Sequence, residues 1–259
     1  MERIEHMLSD GKKVIGYIHE NLGKLGKGAY GLRPAIVVLP GGGYSYRSMR
    51  ENEPIVLEFL SRGYQVFVLE YACGEEIRKG LVPERECAEA LIWIRENSEA
   101  LDTDKDKVAL MGFSAGGHAA LSLSCHHEKY GLQARPDAVV LAYPVVTMGE
   151  YTHQGTHDNI TGGDKEKEKY YSLETQVTSS IPPVFLWHTT QDRSVPPMNS
   201  ISLLLSLEKV GAVYEYHMFQ KGKHGLSTCR NEVGSPEERT EAWIALADSW
   251  LKDLFSFRQ

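Results

Sequence analysis

The feature that most constrains this chain is the run Gly112-Phe113-Ser114-Ala115-Gly116-Gly117. It follows a short apolar stretch at 107–111 and opens a segment of helical periodicity at 115–124. A serine between a strand and a helix joined this closely must sit on a sharp turn with a strained backbone. Glycines two positions to either side are then required, because a Cβ would meet the adjacent strand or helix. Such a turn exposes the Ser114 hydroxyl and leaves the Ala115 amide at a helix N-terminus, free to donate to a developing negative charge.

The rest of the chain supplies the layers around such a turn. Apolar runs with β-branched residues at 35–39, 65–69, 107–111, 138–142, 184–188 and 213–218 read as short strands, most of them buried on both faces. Helical periodicity occupies 53–62, 83–97, 115–124, 197–210 and 236–255. Pro83 and Pro236 suit first-turn positions, and Gly63 and Gly211 follow helix ends. Strand and helix alternate, which predicts an α/β fold with a mostly parallel central sheet and helices on both faces. Residues 13–19 read as an extra antiparallel edge strand. No repeat or Pro/Ser-rich linker divides the 259 residues, so a single domain over 1–259 is expected. In the least regular stretch, 145–180, apolar periodicity gives way to Gly, Thr, His and a charged run at 164–169. It is expected to be an excursion over the rim of the site, with the charged run a solvated face.

A hydroxyl is a poor nucleophile until a base removes its proton, and the base needs an acidic residue to fix its tautomer. Asp192, following the 184–188 strand in Thr189-Thr190-Gln191-Asp192, is the candidate acid. His224, following the 213–218 strand in Gly222-Lys223-His224-Gly225-Leu226, is the candidate base. Taken singly, they read as a turn or capping aspartate and a surface histidine. Together they complete the order Ser, acid, His beyond the carboxyl ends of strands, where open α/β sheets place their sites. After the 35–39 strand, Pro40-Gly41-Gly42-Gly43-Tyr44 offers the amides of Gly42 and Gly43 as oxyanion donors beside Ala115. This run continues into neither a P-loop nor a dinucleotide fingerprint.

Other classes find less support. His126, His127, His153 and His157 make no His-Glu-x-x-His pattern, so no metal site is expected, and the proposed residues need no cofactor. His118 is expected to pack under the site. A net charge of −7 speaks against a nucleic-acid partner. The first eleven residues mix charged and isolated apolar positions, unlike a secretory signal, and no segment reaches membrane-spanning length. The four cysteines lack zinc-site spacing and read as reduced thiols, so a cytoplasmic protein with no membrane partner is expected. Oligomeric state is left open.

Pro40 to Tyr44, Gly112 to His118, Trp187-His188-Thr189 with Asp192, and His224-Gly225-Leu226 together resemble the α/β-hydrolase esterases often labelled xylanase-associated acetylesterases. The resemblance spans roughly residues 35–251. It implies the α/β-hydrolase fold and hydrolysis of short acyl esters, typically acetyl groups on plant-derived saccharides. Leu39-Pro40 departs from the hormone-sensitive-lipase branch, which carries His directly before its glycines. With no long N-terminal cap of that branch expected, the rim falls to segments such as 145–180. An acetylated oligosaccharide or other small ester is the expected partner, and Tyr44, Tyr71 and Trp187 are the candidate aromatic contacts for it. Two alternatives stay open. One is a small peptidase of the same fold, since the same triad cleaves amides; the other is a catalytically silent ligand-binding protein, for which loss of a triad residue is the expected mark.

Overall fold

The computed structural model describes residues 1–20, 31–80 and 82–257. Its strands are β1 (Glu2–Met7), β2 (Lys13–Ile18), β3 (Arg33–Leu39), β4 (Gln65–Glu70), β5 (Thr103–Phe113), β6 (Ala138–Ala142), β7 (Val184–Thr189) and β8 (Tyr214–Phe219). They form one sheet in the order β1-β2-β4-β3-β5-β6-β7-β8. Every pairing from β4 to β8 is parallel, while β1 with β2 and β2 with β4 are antiparallel. This is the mostly parallel α/β sheet expected from the alternation, and it fits the α/β-hydrolase fold that the resemblance implies. The direction of winding reverses between β3 and β5, so a crevice opens beyond their carboxyl ends. The glycine run after β3 and the Ser114 turn after β5 both lie at that point.

The helices are α1 (Glu53–Ser61), α2 (Glu75–Arg78), α3 (Pro83–Glu96), α4 (Ala115–His126), α5 (Gln154–Thr161), α6 (Lys165–Tyr171), α7 (Met198–Val210), α8 (Glu238–Glu241) and α9 (Trp243–Leu254). Successive residues of each parallel strand feed opposite faces. Val108 and Leu110 pack toward Leu91, Ala120 and Leu203 of α3, α4 and α7. Ala109 and Met111 pack toward Phe59 and Trp243 of α1 and α9. Full burial of each such large side chain stabilises the fold by roughly 1.5–3 kcal/mol, so these two layers hold the switch point rigid.

Three expectations need correction. Residues 13–18 are antiparallel but are not the edge, because β1 pairs outside them. The side chains of β1 are exposed or half-exposed, and beyond backbone pairing the segment is held by Ile4 on the core and His6 stacked on Trp93, so no apolar pattern announces it. The 236–255 helix is two, broken at Ala242. Finally, 145–180 holds α5 and α6 where irregular chain is expected. The Asp164 carboxylate accepts from the amides of Glu166 and Lys167, and this cap starts the charged run as a helix. Its solvated Lys and Glu pair three residues apart, Lys165 with Glu168 and Lys169 with Glu166, each at 2.7 Å.

Behind the site, Glu86 of α3 is wholly buried and accepts from the Ala72 amide at 2.6 Å through one oxygen. Its other oxygen has no donor and faces Asp10, so it carries the proton. Burial first, and then the charge of Asp10, push the Glu86 carboxyl up to about 8. A raised folded value means that this group's stabilisation is complete below the unfolded carboxyl range near 4.3 and is lost as pH rises through 8. Glu86→Gln keeps the amide acceptor and the donor toward Asp10 without the titration. We expect urea unfolding to show wild type losing on the order of a few kcal/mol between pH 5 and 9 that the Gln variant retains. Parallel curves for the two proteins would contradict this assignment.

Candidate active site

Ser114 stands between β5 and α4 with φ 53° and ψ −117°, a left-handed backbone that the flanking glycines permit. A Cβ on Gly112 would lie 2.4 Å from the Gly116 carbonyl oxygen, and one on Gly116 would lie 2.1 Å from that of Leu39. The N-terminal turn of α4 therefore rides directly on the ends of β3 and β5. Ser114 is held there by its own amide, which donates to the Ala142 carbonyl at 3.0 Å.

The loops after β7 and β8 bring Asp192 and His224 to the serine. The Ser114 hydroxyl lies 2.8 Å from His224 Nε2, and His224 Nδ1 lies 2.6 Å from Asp192 Oδ2. An ionised carboxylate only accepts, so Nδ1–H donates and Nε2 is left to accept from the serine. Asp192 Oδ1 accepts from the amides of Ser194 at 3.0 Å and Val195 at 2.9 Å. Burial alone would raise this carboxyl. Hydrogen bonds from His188 and His224, the charge of His224 and the Val195 amide together outweigh burial and hold it well below its ordinary value.

His188 is a residue that the sequence reading quoted without a role. It is fully buried, and its Nε2 faces two acceptors, Val195 O at 3.0 Å and Asp192 Oδ2 at 3.2 Å. Nε2 must then carry the proton, while Nδ1 accepts from the Ser200 hydroxyl at 2.7 Å. Asp192 Oδ2 thus receives two imidazole N–H groups.

Gly42 and Gly43 adopt φ of 130° and 62°, and a Cβ on Gly42 would fall 2.0 Å from the Tyr46 carbonyl oxygen. Only glycine fits there. The carbonyls of Gly41 and Gly42 turn back to accept from the amides of Ser48 and Ser45. The amides of Gly42, Gly43 and Ala115 meet no acceptor among the described residues. Glu51 and Tyr143, neither singled out from sequence, brace this loop. The buried Glu51 carboxylate accepts from the Gly41 amide at 2.7 Å and from the Tyr143 hydroxyl at 2.6 Å. That hydroxyl accepts in turn from the Ser227 amide at 2.9 Å, and the Tyr143 ring packs edge-on against the His224 imidazole at 5.1 Å. The glycine loop and the histidine loop are therefore tied together through one carboxylate.

The cleft over Ser114 measures about 320 Å³, with Gly42, Gly43, Tyr46, His153 and His224 among its walls. Tyr44, Tyr71 and Trp187 are not among them. All three are at most 1% exposed. The Tyr44 hydroxyl donates to His118 Nδ1 at 2.9 Å, Tyr71 donates to the Pro40 carbonyl, and Trp187 stacks on Trp243. Complete burial, with the two tyrosine hydroxyls satisfied internally, makes them core, and the exposed aromatic of the cleft is Tyr46 instead. His118 packs beneath the site, its imidazole pushed down to about 4 by burial. Among the described residues, no group of three or more His, Cys, Asp or Glu could hold a metal ion, and no helix is long and apolar enough to cross a membrane.

The family profile described as BD-FAE matches residues 24–207. The chain belongs to the BD-FAE family. This BD-FAE chain is 35% identical over 215 residues to endo-1,4-beta-xylanase B of Butyrivibrio fibrisolvens, covering 78% of the chain and 34% of that protein. It is 28% identical to the acetylxylan esterase of Xylanibacter ruminicola, covering 85% of the chain and 44% of the relative. The chain thus spans less than half the length of these two curated relatives. Among solved structures, the acetyl ester-xyloside bifunctional hydrolase of Caldicellulosiruptor lactoaceticus is 31% identical with a TM-score of 0.84, covering 96% of this chain and 90% of that one. The carboxylesterase Cest-2923 of Lactobacillus plantarum, 24% identical with a TM-score of 0.88 and both chains fully covered, shares the fold. These relations place the BD-FAE chain in the α/β-hydrolase fold.

Proposed function

We propose that this BD-FAE protein is a serine esterase that removes short acyl groups, acetyl foremost, from xylan-derived or other oligosaccharides. The observation that carries the reading is the unbroken hydrogen-bonded chain Ser114–His224–Asp192 opening onto a polar cleft beside uncommitted backbone amides. As Ser114 Oγ attacks the ester carbonyl, His224 Nε2 takes its proton. The amides of Gly42, Gly43 and Ala115 stabilise the charge that develops on the carbonyl oxygen. Collapse forms an acyl-serine, and His224 passes its proton to the departing alcohol. It then takes a proton from water, which attacks the acyl-serine, and returns that proton to the departing Ser114 Oγ as the acid is released. Asp192 keeps the imidazole in the productive tautomer throughout.

The acetyl and saccharide preference rests on the relatives' names together with a cleft whose walls include three serines besides Ser114 and an exposed tyrosine. In this reading 145–180 serves as the rim, since His153 and Gly155 line the cleft. Four free thiols suit a reducing, cytoplasmic setting. The test is acetate release from acetylated xylo-oligosaccharides, beside a short aryl acetate, by wild type and Ser114→Ala. Turnover of both substrates, lost in the variant, supports the reading; turnover of the aryl ester alone removes the saccharide from it.

A further inference from the structure

We propose that His153 is a substrate-positioning residue on the alcohol side of the cleft, its Nε2–H donating to a free hydroxyl next to the esterified oxygen of a saccharide. This rests on the esterase reading above and adds the group that selects the alcohol.

The orientation of the ring follows from its cap. His153 precedes α5, and its Nδ1 accepts from the Thr156 amide at 3.2 Å and lies 2.9 Å from the Thr156 hydroxyl. A backbone amide can only donate, so Nδ1 is an acceptor and the proton of the neutral ring is on Nε2. Burial first, and then the charge of His224, lower the His153 pKa, which favours this neutral form. Nε2 has no protein partner among the described residues, although the ring is half-buried and lines the cleft with Ser114 and His224.

The ring's place relative to the reacting centre is fixed as well. Its Cε1 lies 3.4 Å from the point where a Cβ on Gly43 would stand. From the same helix, Asn159 Nδ2 donates to the Gly43 carbonyl at 2.9 Å and to the Ser45 hydroxyl at 2.8 Å, tying α5 to the oxyanion loop. A fixed N–H donor that faces the cleft with no protein acceptor is free to donate to an oxygen of the ligand. An acetyl methyl offers none, and the ester carbonyl oxygen is taken by the backbone amides. The acceptors that remain are on the alcohol, where a pyranose carries hydroxyls beside the acylated position and a simple phenol carries none.

Two variants separate this role from a structural one. His153→Asn keeps a side-chain oxygen for the Thr156 amide but is too short to reach the position of Nε2, and His153→Phe keeps the ring without nitrogens. For acetylated xylo-oligosaccharides we expect kcat/KM to fall about five- to ten-fold in both, chiefly through KM, as one neutral hydrogen bond allows. For the aryl acetate kcat/KM should stay within about two-fold. Equal losses on both substrates, or no loss on the saccharide, would overturn the role of His153. A wild type that cleaves the aryl ester but no acetylated saccharide overturns both this role and the saccharide reading, while leaving the triad standing.

Discussion

Replacing Ser114 with alanine is expected to cut ester turnover by about 10⁴- to 10⁶-fold while the protein stays folded. The substitution removes a single oxygen whose side-chain hydrogen bond is to His224. Alanine meets the same left-handed φ as serine, so the strain of the turn is unchanged, and the turn is set by glycine contacts that the substitution does not touch. The donors at Gly42, Gly43 and Ala115 remain and account for the residual rate. Steady-state kinetics on an aryl acetate, with a thermal melt within a few degrees of wild type, checks both halves of the expectation. A loss of activity that tracks a collapse of the melt would instead make Ser114 a folding residue.

Asp192→Asn comes second, with an expected loss of about 10⁴-fold. Both carboxylate oxygens are committed, one to the amides of Ser194 and Val195 and the other to the imidazoles of His188 and His224. An asparagine has one accepting oxygen, so an NH₂ group must face one of these donor pairs. Facing the imidazoles, it drives the His224 proton from Nδ1 to Nε2, where the ring can no longer accept from Ser114. Facing the amides, it leaves the part-buried Ser194 amide and the buried Val195 amide without this acceptor, at a cost of about 1–3 kcal/mol for the buried one. The acid side of the stability curve reads the same contacts. A carboxyl lowered on folding contributes stability that is present above the unfolded range near 3.9 and is lost as pH falls through the folded value. The variant should therefore be less stable than wild type at pH 7 and show a shallower decline below pH 4. Unchanged kcat/KM would show that Asp192 does not set the tautomer.

What was legible in the sequence was what depends on short stretches of chain. The parallel strands announce themselves as apolar runs, and the Ser114 turn by glycines whose missing Cβ atoms the fold requires. The order of motifs after β5, β7 and β8 brings Ser114, Asp192 and His224 to one edge. The strand β1 was hidden because an edge strand pairs chiefly through its backbone, and its inward contacts, Ile4 on the core and His6 on Trp93, form no apolar run. The helices α5 and α6 were hidden because their starts lie in capping side chains, His153 and Asp164, rather than in apolar period. The aromatic contacts failed for a different reason. Tyr44 and Tyr46 stand two residues apart in the same glycine-rich loop, and only its folded path decides that one ring is buried and the other is 64% exposed. Glu51 and Tyr143 could not be paired from sequence, since they meet across 92 positions.

The most direct measurement is intact-mass and peptide analysis after treatment with a fluorophosphonate, which reacts with a serine only when a base activates it. One adduct per chain is expected, on the peptide bearing Ser114, with ester hydrolysis lost in proportion to labelling and no adduct in Ser114→Ala. An adduct on another residue, or ester hydrolysis that survives complete labelling of Ser114, would contradict it.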